Sequence, residues 1–105
     1  MRLYHWTHRD TAASILRDGF RNSEAIPSLG IHAGVWLADV PTMKATGQGG
    51  ADGQMLTIDV PARWAARYFI DGSPGEHASP PWREYCIPAR LLNSRRAAIA
   101  LHSTP

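Results

Sequence analysis

Cysteine is nearly absent from this chain. Cys86 is the only one in 105 residues, so no intrachain disulfide can form, which fits a reducing compartment. Lysine is as scarce: Lys44 stands alone, and arginine supplies the rest of the eleven basic residues, against nine acidic ones. No basic run exceeds two residues, so a dedicated nucleic-acid face is not indicated. A net charge of +2 and a pI near 9.1 still favour an anionic ligand. Nowhere do ~18 apolar residues run together, which argues against a membrane-spanning helix. The opening Met1-Arg2-Leu3-Tyr4-His5 lacks the apolar centre of a signal peptide. The expectation is a cytoplasmic protein with no membrane partner.

Signature motifs are missing too. Neither G-x-G-x-x-G nor G-x-x-x-x-G-K-[ST] occurs. Cys86 has no C-x-x-C partner, and His5 and His8, three apart, are not obviously carried on one helix, so no metal is expected. Nothing beside Cys86 marks it as an activated nucleophile, and no serine sits in a nucleophile elbow.

What is present is an ordinary globular composition, 44% hydrophobic and 19% charged, of a length that suits one core and one domain. Leu3 to Thr7 is short, aromatic and β-prone, and reads as a strand. Asp10 or Thr11 can cap a helix with Ala12, Ile15 and Leu16 on one face, stopped by Gly19, with Phe20 folding back on its last turn. Asn22 to Ala33 reads as a loop. Gly34 to Asp39 is a second strand, ended by Pro41, and Thr42 to Ala45 a helical turn. Gly47 to Gly53, with four glycines in seven residues, is expected to be the most mobile internal segment. Met55 to Val60 alternates as a strand, and Pro61 opens a helix through Trp64, Ala65 and Tyr68. Asp71 to Pro81 reads as a loop, Glu84 to Ile87 as a strand, Pro88 to Leu92 as a helical turn and Ala97 to His102 as a closing strand. Together these predict an α+β domain in which strands dominate and the few helices are peripheral.

Three polar and aromatic segments fall on or beside predicted strands. Tyr4-His5-Trp6-Thr7 puts a histidine at mid-strand, where burial requires a hydrogen bond. Gly34-Val35-Trp36-Leu37-Ala38-Asp39 combines a residue that permits close backbone approach with a flat indole. Trp82-Arg83-Glu84-Tyr85 opens an apolar strand with a carboxylate. Taken singly, these are a satisfied core histidine, a core tryptophan and an edge carboxylate paired with Arg83.

In this order, from Leu3 to Leu92, the segments resemble the ADP-ribosyltransferase superfamily in its diphtheria-toxin and poly(ADP-ribose) polymerase branch. His5-Trp6-Thr7 stands where that branch has His-Gly-Ser/Thr. Gly34 to Asp39 stands for Gly-Ile-Tyr-Phe-Ala-Asp, and Glu84-Tyr85 for the late catalytic Glu. The sequence departs from the family at Trp6 in place of Gly. It also lacks a second stacking tyrosine after Asp39, and it carries Trp82 where arginine-modifying toxins have Glu.

The resemblance implies an ADP-ribosyltransferase-like fold with a mostly antiparallel, split β-sheet, and NAD⁺ as substrate, without a metal. It implies that Glu84 stabilises an oxocarbenium-like transition state and holds the nicotinamide-ribose 2′-hydroxyl, while His5 positions the adenosine ribose. Trp36 would stack on nicotinamide and the Trp6 backbone would pair with its carboxamide. Tyr4, Thr7, Gly34 and Tyr85 would complete the NAD⁺ site, with Arg9 or Arg83 at the pyrophosphate. His5, Trp36 and Glu84 are therefore expected to line one cleft. The acceptor of ADP-ribose, whether protein, nucleic acid, small molecule or water, is left open. Alternatives are an RNA 2′-phosphotransferase-like enzyme, a non-catalytic module binding NAD⁺, ADP-ribose or a peptide, and a protein without a small-molecule ligand.

Overall fold

The computed structural model describes residues 1–41, 52–70 and 82–102. Within them the first strand, β1 (Arg2–His8), runs straight into helix α1 (Arg9–Asp18). The helix is capped by His8, whose Nδ1 accepts from the Asp10 N–H at 3.2 Å, and not by Asp10 or Thr11 as expected. Ala12 and Ile15 go into the core, whereas Leu16 stays on the exposed side. Gly19 ends the helix at φ +94°, and a Cβ there would lie 2.7 Å from Asn93 Oδ1. That same amide clamps the next residue: Asn93 Oδ1 accepts from Phe20 N–H at 2.8 Å, and Asn93 Nδ2 donates to Phe20 C=O at 3.0 Å.

The predicted loop after Phe20 folds on itself, with isolated bridges between Ser23 and Gly34 and between Ile26 and Ile31. Beyond it come β2 (Val35–Ala38), β3 (Gly53–Asp59), α2 (Ala62–Arg67), β4 (Phe69–Ile70), β5 (Glu84–Ile87), α3 (Ala89–Asn93) and β6 (Ala100–Leu101). The closing strand is shorter than expected, because Arg96–Ala98 turns as a 3₁₀ helix. The two-residue β4 carried no sequence signal. Gly53 belongs to β3 and not to the glycine loop. Residues 42–51 and 71–81, with the helical turn and the rest of the two loops assigned there, lie outside the described residues.

Among the described residues the strands form one continuous six-stranded sheet, not the split sheet expected, because the pair of Tyr4 and Ala38 joins β1 to β2. Its order is β4-β5-β2-β1-β3-β6, with every pairing antiparallel. This single, small α+β domain puts its core on one face of the sheet. Leu3, Val35, Leu37, Leu56, Ile58, Tyr85 and Ile87 meet Ala12, Ile15, Ala65 and Leu92 from the helices there. Tyr4, Trp6, Trp36, Ala38, Glu84 and Cys86 belong to the other face, by strand alternation and register.

Two glycines hold the sheet's close contacts. A Cβ at Gly34 would lie 2.8 Å from Cys86 Sγ and 3.2 Å from the Ile87 carbonyl oxygen. The close approach foreseen at Gly34 is thus made by the chain's own β5. At Gly53 a Cβ would overlap the Trp6 indole, which lies against that backbone.

Gly53→Ala is therefore expected to destabilise the fold by about 1–3 kcal/mol, the usual cost of overpacking. In urea titrations the double variant with Trp6→Ala should lose less than the two single losses added together, since removing the indole removes the clash.

Candidate functional site

The seam between β1 and β2 positions the candidate site. β1 pairs with β3 at every residue from Arg2 to His8, yet it meets β2 at one residue pair, Tyr4 and Ala38. Past that point β2 is drawn toward the returning chain: Ser23 donates to the Gly34 carbonyl from its N–H at 2.8 Å and from its Oγ at 2.7 Å. What spans the seam there is a side chain. His5 Nδ1 lies 2.7 Å from the Trp36 carbonyl oxygen.

A carbonyl only accepts, so Nδ1 carries the proton. In the neutral ring Nε2 is then an acceptor. Burial lowers the His5 pKa from its ordinary 6.5, and the bond to Trp36 only partly opposes this. The ring meets Phe20 edge-on at 5.5 Å.

His5 lines a cavity of about 840 Å³ between α1, the chain after Phe20 and the start of β2. Thr7, Ser14, Arg21, Ser23, Glu24 and Trp36 are among its walls. Sequence reasoning missed the residues after Phe20, because no local signal shows that this stretch folds back beside β1.

His5 and Trp36 line one cavity, but Glu84 is not part of its lining, which corrects the expectation that all three line one cleft. By strand alternation the Trp36 and Glu84 side chains fall on the face opposite His5. Ala38 is paired with both Tyr4 and Glu84, so those three residues share a face, and His5 alternates to the other. Trp36, two residues before Ala38, joins Glu84's face as its diagonal neighbour on the next strand, a spacing of about 7–8 Å that aromatic and long side chains bridge. The physical reason is parity: a flat sheet cannot turn His5 and Glu84 the same way in this register.

Glu84 is 6% exposed, and its Oε1 accepts from Trp82 Nε1 at 2.9 Å. The Arg83 backbone N–H donates to Asp39 Oδ1 at 2.9 Å, and its side chain hydrogen-bonds Tyr85. Trp82 as the carboxylate's donor was not foreseen, although a Trp two residues from a strand carboxylate is a usable signal.

The remaining candidates divide by strand parity. Thr7 is buried on the His5 face. Tyr85 is a core residue on that face, its ring edge-on to Phe69 at 5.8 Å. Tyr4 meets His102 edge-on at 5.5 Å on the opposite face. Arg9 lies beside Asp10, at 3.9 Å.

Met1 and Val60 exchange two backbone hydrogen bonds, so odd-numbered residues of β1 bond to β3. The even ones, Trp6 among them, direct N–H and C=O toward β2.

Cys86 is fully buried, its Sγ 3.6 Å from the His32 carbonyl, and burial pushes its thiol up to about 11. It is not a nucleophile at neutral pH. His32 Nε2 bonds the Cys86 carbonyl at 2.7 Å, clamping the loop to β5.

Among the described residues no three His, Cys, Asp or Glu side chains gather as metal ligands, and no helix is long and apolar enough to cross a membrane. No family model, curated protein or solved structure matches the chain.

Two titrations bound the stability of this site. A His5 pKa lowered by folding contributes stability that is complete above pH ~6.5 and is lost as pH falls through the folded value. A Cys86 pKa raised by folding contributes below pH ~9 and is lost as pH rises toward about 11. Urea midpoints should thus fall on both sides of a neutral plateau. His5→Gln should flatten the acid limb, and Cys86→Ala the alkaline one.

Proposed function

We propose that this chain binds NAD⁺ across the β1–β2 seam and breaks its nicotinamide–ribose bond, passing ADP-ribose to water or to another acceptor. The observation that carries the reading is His5, a half-buried ring held in one tautomer by the Trp36 carbonyl, at the wall of a cavity of ligand size. Its Nε2 suits the hydroxyl of a ribose, which donates. The resemblance of the three segments to ADP-ribosyltransferases supplies the identity of the ligand.

In this reading the ligand crosses the sheet at the seam, where one residue pair joins β1 to β2. The adenosine end lies with His5 in the cavity, and the nicotinamide end passes to the face of Trp36 and Glu84. The C1′–N bond breaks and its electron pair leaves with nicotinamide. The ribose, now oxocarbenium-like, carries positive charge that the Glu84 carboxylate stabilises until water or another nucleophile adds to C1′. The dry setting of Glu84 strengthens that interaction.

One observation favours a second reading, a non-catalytic module for NAD⁺ or ADP-ribose. Glu84 is on the side of the sheet away from His5, and it is held by Trp82.

Calorimetry with NAD⁺ and a nicotinamide-release assay separate the two. Under the catalytic reading Glu84→Gln cuts release roughly a hundredfold or more while affinity barely changes, since the carboxylate acts on charge present only in the transition state. His5→Ala weakens binding as well as rate. Binding without nicotinamide release, with water or any acceptor, establishes the module instead. No binding of NAD⁺ by the wild type at millimolar concentration removes both.

A further inference from the structure

The arginines that look scattered along the sequence are gathered by the fold at a second place. Arg63 and Arg67 are one turn apart on α2, and Arg90 reaches the same groove from α3. Trp64, Tyr68 and Leu91 complete its lining, and its volume is about 430 Å³. No acidic residue among those described lines it.

These charges are uncompensated among the described residues. Among the described residues the ion pairs engage Arg2, Arg9, Arg17 and His8, and none of the three groove arginines has a carboxylate or a hydrogen-bond acceptor. Like charges four residues apart on a helix repel, and α2 holds no acid to offset them. Arg67 instead covers the Tyr68 ring, 5.6 Å from its centroid. With that ring covered, the half-buried Trp64 is the aromatic surface left for a ligand.

We propose that this groove binds nucleoside phosphates, either free or as a single strand of nucleic acid. Guanidinium forks match phosphate oxygens two at a time, and they do so with a weaker hold on water than an ammonium. A planar indole beside them gives a base a stacking face without selecting its sequence. An acidic peptide would satisfy the arginines but make no use of the Trp64 indole, which packs against the core and is only half-buried in the groove. The proposal does not depend on the NAD⁺ reading, since the groove is built from α2 and α3 and shares no lining residue with the His5 cavity.

Pyrimidine probes keep the two sites apart experimentally. The anisotropy of a 5′-labelled oligouridylate and the quenching of indole fluorescence by UDP are measured on the whole chain. Engagement of all three arginines by a strand predicts a salt slope of about −2, from roughly −0.7 for each of three phosphates. Replacing Arg63, Arg67 and Arg90 together by Gln should abolish that slope and weaken binding tenfold or more. Replacement by Lys should restore part of it. Trp64→Leu should weaken both probes at least roughly fivefold, and quenching should vanish with it.

Binding of UDP alone assigns the groove to free nucleotides, and binding of the strand alone assigns it to nucleic acid. The proposal is overturned if the wild type binds neither probe. It is equally overturned if the Gln variant, with an unchanged melting temperature, binds as well as wild type, or if polyglutamate displaces the strand as effectively as unlabelled oligouridylate.

Discussion

A single side chain replaces a stretch of β-ladder at the centre of this molecule. Where β1 and β2 would normally exchange backbone bonds, His5 reaches across and takes the Trp36 carbonyl at 2.7 Å. A buried carbonyl without a partner is costly, so the seam depends on this bond once the ladder is interrupted. The fixed tautomer that leaves Nε2 as an acceptor follows from the same contact. Burial, not this contact, lowers the His5 pKa, and the bond to Trp36 partly opposes it.

The rest of the chain supports that interruption from either side. Ser23 gives the Gly34 carbonyl two donors and holds the start of β2 away from β1. Asn93 holds both backbone groups of Phe20, and Asn22 accepts from the Ala89 N–H at 2.8 Å, so α3 anchors the segment that walls the cavity. These clips join residues 67 to 73 positions apart in sequence. They act through side-chain amides, which supply a donor and an acceptor together.

Two binding features with different physics emerge. In the proposed function His5 orients a ribose hydroxyl at the seam, and Glu84, buried on the far side, stabilises charge in a dry setting. Around α2 and α3 exposed arginines act through charge and fork geometry, and their effect is screened by salt. The first is suited to holding one small molecule in one pose. The second is suited to attracting an anion from solution.

Most of the element pattern was legible in the chain itself. Alternation marked Met55 to Val60, the apolar run marked Glu84 to Ile87, and Gly19 and Pro61 bounded helices, because backbone freedom and side-chain period are local properties. His5, Trp36 and Glu84 each passed singly for ordinary strand residues, and only the order of their three segments set them apart. What the sequence could not give was the side of the sheet each occupies. Parity is set by register, which is a contact between strands: Tyr4 opposite Ala38 and Ala38 opposite Glu84 decide that His5 looks one way and Trp36 and Glu84 the other. The same holds for the arginines. Arg63 and Arg67 are near in sequence, but Arg90 joins them only because α2 and α3 both pack Ala65 and Leu92 into one core. A charge cluster made of distant residues exists only after the chain has folded.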